Sequence, residues 1–277
     1  MTATQAITLD TPYDLAPDDV TRFAEHGFVK LPGVASPELV EAYEPDVTGK
    51  VIELNTMHLP MAERSTYNKA FLQVSNLWRH SATVRELVFA KRFARIAAEL
   101  LGVDGVRLYH DQALYKEEGG GITPWHADQY YWPLSTDRCC TIWLPLQETP
   151  LEMGPVSFAA GSHRFEFGRE LPISDESEAA LSTALAEQDF PMVAEPFALG
   201  DASFHQGWTF HHAGPNTTGL ARRVMTVIYI DADITISTPT NSNQEADLAS
   251  WFPGARPGEV PDTELNPVLY RRTAGQG

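Results

Sequence analysis

V-R-L-Y-H-D-Q-A-L-Y-K, residues 106–116, is where this chain changes its period. Upstream, apolar residues recur at three- and four-residue spacing; here the repeat shortens to two, as in a strand. Before it, Pro17 opens a helix that Gly27 ends, with proline at a first-turn position. F-V-K-L at 28–31 reads as a short strand, and Ser36 caps a second helix begun by Pro37. Two further helices are predicted at 81–90 and 91–101, stopping at Gly102. Beyond 116, strands are predicted at 139–146, 155–158, 194–199, 202–205 and 224–229, separated by Gly/Pro turns. Helices first, then many short strands, predict a mainly β jelly-roll barrel with supporting α-helices.

A chain of 277 residues can bury one sizeable core. Residues 1–15 read as a loosely ordered arm and 16–277 as a single domain. The segment near 174–188 reads as a helix inserted between strands, either a lid or a solvated acidic helix. After Asp231 the sequence becomes irregular and is expected to wrap the barrel as a tail. The net charge of −17 argues against nucleic acid or an anionic membrane as partner, since both repel an acidic chain. It leaves room for an anionic small molecule held by a local cation. No apolar run approaches the roughly 18 residues of a membrane span. The N-terminus M-T-A-T-Q-A-I-T-L-D lacks the regions of a signal peptide, so a cytoplasmic protein is expected. The adjacent Cys139 and Cys140 point to opposite faces of a strand and are read as buried fillers, unpaired in a reducing compartment.

The chemistry sits in two segments, P-W-H-A-D-Q-Y-Y-W at 124–132 and F-H-H-A-G-P-N-T-T-G-L-A-R-R at 210–223. On a strand, residues i and i+2 share a face, so His126 and Asp128 can reach one metal ion together. A distant histidine completes two imidazoles and one carboxylate, the facial set that holds non-haem Fe(II) with open positions. His211 is the candidate, with His212 and His205 as rivals; neighbours in a strand face opposite ways, so only one of His211 and His212 points inward. Arg222 is a fixed cation suited to clamp a carboxylate bidentately. Iron with open positions beside a carboxylate anchor points to 2-oxoglutarate as co-substrate, with O2. The bare H-x-D tripeptide is a weak signal, and the weight lies in order and context.

That order is H-x-D, an apolar strand, G-S-H at 161–163, G-D at 200–201, His-x4-Asn and then Arg. With D-D-V-T-R-F-A-E-H-G-F-V-K-L-P-G-V at 18–34, the chain resembles the phytanoyl-CoA dioxygenase-like family of Fe(II)/2-oxoglutarate oxygenases from about 18 to 230. The resemblance implies a double-stranded β-helix of cupin-like, jelly-roll form. It also decides the third ligand: the family pattern places Asn five and Arg eleven residues after it, and Asn216 and Arg222 satisfy both for His211. His163 falls in the family's P-G-S-H turn and reads as structural. Gln112, Leu114 and Lys116 share a strand face that lines the 2-oxoglutarate pocket in the family, making Gln112 and Lys116 candidates for its carboxylates. Trp143 matches a family tryptophan that flanks the co-substrate, with core packing as the plain alternative. One departure is Ala213, where the family commonly has Ser or Thr; Thr141 or Lys116 is the expected replacement.

For the primary substrate, Tyr130, Trp132 and Trp208, with Tyr131 and Phe210, form the expected aromatic wall, Tyr130 continuing the inward face of His126 and Asp128. Such rings suit a bulky, partly apolar organic molecule; filling the barrel is their other use. The expected activity is oxidation of a small or medium organic molecule, by hydroxylation, cyclisation, epimerisation or desaturation. A bacterial secondary metabolite is the substrate suggested by analogy. Asp128 fills the metal position that halogenation would leave for halide. Two other classes stay open at this point: a cupin-like metal enzyme without 2-oxoglutarate, and a non-catalytic small-molecule-binding jelly-roll.

Overall fold

The computed structural model describes residues 8–273. The first part is mostly helical: α1 (Pro17–His26), β1 (Phe28–Leu31), α2 (Pro37–Leu54), α3 (Thr66–Ala70), β2 (Leu72–Ser75), α4 (Ala82–Val88) and α5 (Lys91–Leu101). Next come β3 (Gly105–Tyr115), β4 (Thr123–His126), β5 (Cys139–Pro145), β6 (Val156–Ala159) and α6 (Asp175–Glu187). The chain then runs through β7 (Met192–Ala194), β8 (Ala202–Gln206), β9 (His211–Ala213), β10 (Val224–Asp231), α7 (Ser242–Trp251) and β11 (Val268–Arg271).

The local signals act as their chemistry predicts. The Ser36 hydroxyl accepts from the Leu39 amide at the start of α2. Gly27 ends α1 in the left-handed region, and a Cβ there would come within 2.5 Å of His163 Nδ1 and Thr209 Oγ1. Glycine is therefore required twice over, by backbone angle and by the close packing of the G-S-H turn. Among the described residues, no helix is long and apolar enough to cross a membrane.

Two antiparallel sheets make the jelly-roll. The larger has the order β1-β8-β5-β10-β3-β11, with β2 also on β3; the smaller runs β4-β9-β6-β7. Their inner faces meet, as where Phe28 of β1 stacks on Phe158 of β6 at 4.2 Å, and do not close into one hydrogen-bonded cylinder. On the outer face of the large sheet, α5 buries Phe93, Ala94, Ile96, Ala97 and Leu100. Arg92 is buried on the same helix because its guanidinium fastens the N-terminal segment. Its Nε donates to Val34 O (2.6 Å) and its Nη1 to Thr11 O (2.7 Å) and Pro12 O (2.8 Å). Leu9, Tyr13 and Leu15 pack against the core beside it. Residues 8–15 are thus tied down, which corrects the loose arm expected there; residues 1–7 lie outside the described residues. Arg92→Ala is expected to lower stability by about 2–4 kcal/mol, since it orphans buried carbonyls as well as losing the bonds. Urea unfolding checks this: an unchanged midpoint would mean the clamp is idle.

Three further expectations change. In place of the strand predicted at 194–199 stands a shorter, earlier one, Met192–Ala194, with Phe197 joining Thr149 only through an isolated bridge. Pro191 and Pro196 flank that stretch and cannot donate to a ladder. The tail after Asp231 is not irregular throughout. Asn241 caps α7 by accepting from the Gln244 amide, and β11 adds an edge to the large sheet. No residue of α7 is fully buried, so it carries little of the apolar periodicity that would announce it. Finally, α6 is neither free nor merely solvated. Glu178 Oε2 accepts the Trp125 amide at 2.7 Å, Ser177 Oγ donates to Trp125 O, and Leu181 and Leu185 are buried. The helix therefore braces the strand that carries His126.

Candidate active site

His126 ends β4 and His211 begins β9, and the two are register partners across the smaller sheet. Asp128 reaches them differently from the strand alternation expected. The chain leaves β4 after His126, and Asp128 opens a 3-10 turn, Asp128–Tyr130. One ligand-type atom from each of the three residues lies within 4.8 Å of the others. His126 Nε2 is 3.6 Å and His211 Nε2 3.7 Å from Asp128 Oδ1.

The surroundings prepare these groups as ligands. His126 Nδ1 meets Pro124 O at 2.8 Å and His211 Nδ1 meets Thr209 O at 2.9 Å. A carbonyl only accepts, so each Nδ1 carries the proton and each Nε2 keeps its lone pair for the metal. Burial, and then the neighbouring His126, hold His211 well below the usual imidazole range, which keeps it neutral. Burial alone would raise the Asp128 carboxyl, but it is held below the usual range, with the His205 Nε2–H as its histidine donor. His205, a rival for the third ligand, serves the carboxylate instead: its Nε2 lies 3.3 Å from Asp128 Oδ2, where Thr141 Oγ1 also donates at 3.2 Å. Oδ2 is thereby occupied and Oδ1 turned toward the histidine pair. His212 stacks on Trp125 at 4.0 Å, apart from the trio.

A cavity of about 70 Å³ adjoins the trio, walled by Gln112, Trp143, Thr123, Thr226 and Arg222 among others. Arg222 is 2 % exposed. Its Nη1 donates to Gly154 O, its Nε has no partner, and its guanidinium lies 5.3 Å from the Trp143 ring centre. Burial lowers its pKa to about 9, with no carboxylate among the described residues to offset it. A buried cation left unpaired by the chain itself calls for an anion from outside. The donor set thus suits both groups: two neutral imidazoles and a carboxylate for Fe(II), and an unpaired guanidinium for a dicarboxylate.

Other expected contacts are distributed unevenly. Gln112 and Trp143 line the cavity, but Lys116 does not. β3 ends at Tyr115, and Lys116 forms an isolated bridge with Arg222. Its Nζ, pushed down to about 6 by burial and then by Arg222, donates to Gly121 O (2.7 Å) and Gly214 O (2.6 Å). Thr141 is taken up by Asp128, while Thr123, the register partner of Ala213, brings a hydroxyl to the wall. Thr123 carries no local sequence signal for this role, because only the pairing of β4 with β9 puts it opposite Ala213.

Among the aromatics, Trp132 and Tyr131 line a second cleft next to the trio. Tyr130 is turned away: its hydroxyl accepts from Asn243 Nδ2 and its carbonyl from Gln244 Nε2, both on α7. Trp208 packs near Phe210 and Leu181 under the Arg169 guanidinium, 4.7 Å from its ring centre. The structure brings neither Tyr130 nor Trp208 to either cavity wall.

A two-sheet jelly-roll holding a His-Asp-His trio beside a buried arginine defines the class: a metal-dependent oxygenase of the non-haem iron, 2-oxoglutarate type. The family model described as Phytanoyl-CoA dioxygenase (PhyH) matches residues 23–224, and the chain belongs to that family. A curated relative, a probable alpha-ketoglutarate-dependent hypophosphite dioxygenase of Stutzerimonas stutzeri, is 23% identical over 227 residues, 76% of this chain and 77% of its own. Among solved structures, the non-heme alpha-ketoglutarate-dependent epimerase SnoN of nogalamycin biosynthesis is similar with a TM-score of 0.75 and 25% identity. It covers 92% of this chain and 98% of its own. The carbocyclase SnoK of the same biosynthesis is similar with a TM-score of 0.75 and 26% identity, covering 94% and 100%.

Proposed function

We propose that this chain oxidises a C–H bond of a small or medium organic molecule of the secondary-metabolite kind, with His126, Asp128 and His211 as the iron ligands. Arg222 anchors the distal carboxylate of 2-oxoglutarate. The observation that carries this is Arg222 itself, a fully enclosed guanidinium with an unpartnered Nε in the same cavity as the trio. Iron bound at the trio supplies the O2 chemistry: 2-oxoglutarate is oxidised to succinate and CO2, and one oxygen atom is left to oxidise the substrate.

The residues of the chain do the positioning. Pro124 O and Thr209 O fix the imidazole tautomers, while His205 and Thr141 hold the Asp128 carboxylate in place. Thr123 offers the hydroxyl that Ala213 lacks, and Gln112 and Trp143 wall the co-substrate. With Asp128 filling its metal position, halide has no vacancy there, which argues against halogenation. The similarity to an epimerase and a carbocyclase of nogalamycin biosynthesis supports a secondary metabolite as substrate. The aromatic cleft beside the trio supports the same reading, because a small inorganic anion such as hypophosphite needs no ring wall.

The test is turnover of 2-oxoglutarate by the full chain. Succinate should form with Fe(II) and O2, cease on chelation, and resume when Fe(II) is returned. A chain that neither binds 2-oxoglutarate by calorimetry nor forms succinate above the metal-free control would end this reading.

A further inference from the structure

Beside the trio lies a cleft of about 170 Å³ that shares Gln73, Gln112 and Asp128 with the co-substrate cavity. Besides β2 and β10, its walls come from Tyr131 and Trp132 after the 3-10 turn, His110 on β3, and Asp247 and Trp251 on α7. The rings are fixed by one another. Trp251 lies 4.6 Å from His110, and Tyr109 lies 5.4 Å from Trp132.

Asp247 is the odd member of this wall. Its Oδ2 accepts the Tyr109 hydroxyl at 2.6 Å, which uses one of about four acceptor positions of a carboxylate. Burial pushes its carboxyl up to about 6, and the groups that pull it back are Tyr109 and Trp251, with no cation among them. His110 does not supply the missing charge, because burial lowers it to about 4 and keeps it neutral. A half-buried carboxylate without a counter-ion, facing aromatic rings, is the arrangement that attracts an organic cation by charge and by the ring faces. The chain's net charge of −17 adds a long-range pull of the same sign.

We propose that this cleft receives a protonated amine of the primary substrate, with Asp247 as counter-charge and Trp251, Trp132 and Tyr131 as its aromatic walls. This deepens the function proposed above by naming a chemical class for the substrate, and it rests on that reading. The volume sets the scale of the group: a cavity of about 150 Å³ accepts benzene, so the cleft takes one ring-sized, amine-bearing unit while the rest of the molecule stays outside. Asp128 lines the cleft as well, so the bound unit lies beside the metal trio.

The experiment uses the full chain without metal or 2-oxoglutarate, so its outcome is separate from the succinate assay. Binding of 2-phenylethylammonium and of 2-phenylethanol, which share ring and chain length, is compared by calorimetry at pH 7.5. The ammonium should bind at least tenfold more tightly, and Asp247→Asn, which can still accept from Tyr109, should remove that preference. Trp251→Leu keeps an apolar wall without the ring and should weaken the ammonium several-fold more than the alcohol, should the first variant fold poorly. Equal affinity for amine and alcohol, weak or absent binding of both included, would overturn the proposal. So would a preference that survives in Asp247→Asn or, if that variant does not fold, one that is undiminished in Trp251→Leu.

Discussion

His211→Ala is expected to lose its iron and all 2-oxoglutarate turnover, while His212→Ala keeps its iron. The two histidines are neighbours in β9, and alternation sends them to different partners. His211 Nε2 lies 3.7 Å from Asp128 Oδ1 with Nδ1 tied to Thr209 O, whereas His212 stacks on Trp125. Removing one of three ligands leaves an imidazole and a carboxylate, too few to hold a divalent ion against water. Iron content per chain after dialysis, together with succinate yield, separates the two variants. Iron lost from His212→Ala and kept by His211→Ala would reverse the assignment. His126→Ala and Asp128→Ala should behave as His211→Ala does.

Arg222→Ala should raise the KM for 2-oxoglutarate by at least tenfold, and Arg223→Ala should scarcely change it. Truncating one partner of a desolvated charge pair costs about 2–5 kcal/mol of binding. Arg222 qualifies because it is enclosed, unpaired by the chain and in the cavity wall. Arg223 already spends its charge: its Nε donates to Gln147 Oε1 at 2.5 Å and its Nη1 to Glu44 at 2.6 Å. Arg222→Lys should recover only part of the loss, since an ammonium lacks the planar fork that meets a carboxylate. Equal KM changes in Arg222→Ala and Arg223→Ala would leave the anchor unassigned.

Much of this site was legible because its signals are local or ordered along the chain. The H-x-D segment, the Asn216 and Arg222 landmarks after His211, and the G-S-H turn are short patterns. The turn is explained once Gly27 is seen to pack on His163. The helices α1, α2, α4 and α5 and the long strands β3, β5 and β10 were readable because each runs for enough residues to display its period, whereas the five-residue α3 does not. The three-residue β9 and the polar α7 are too short or too little buried to do so.

The sequence by itself determined the fold class, the metal-ligand types and the arginine proposed to meet the co-substrate, because residue identity and order carry them. The tertiary structure alone decided where the other side chains point. Periodicity reports a face only while the element continues. β4 stops at His126, and the following turn rotates about 120° per residue where a strand rotates 180°. Tyr130 is thereby sent to α7, and Tyr131 and Trp132 to the cleft. Likewise β3 stops at Tyr115, so Lys116 turns to the carbonyls of Gly121 and Gly214 and away from the cavity. Asp247 and Trp251 reach the metal side of the molecule only because α7 packs back across it, a contact between residues more than a hundred positions apart. No local pattern records such a contact; the packing of the whole chain makes it.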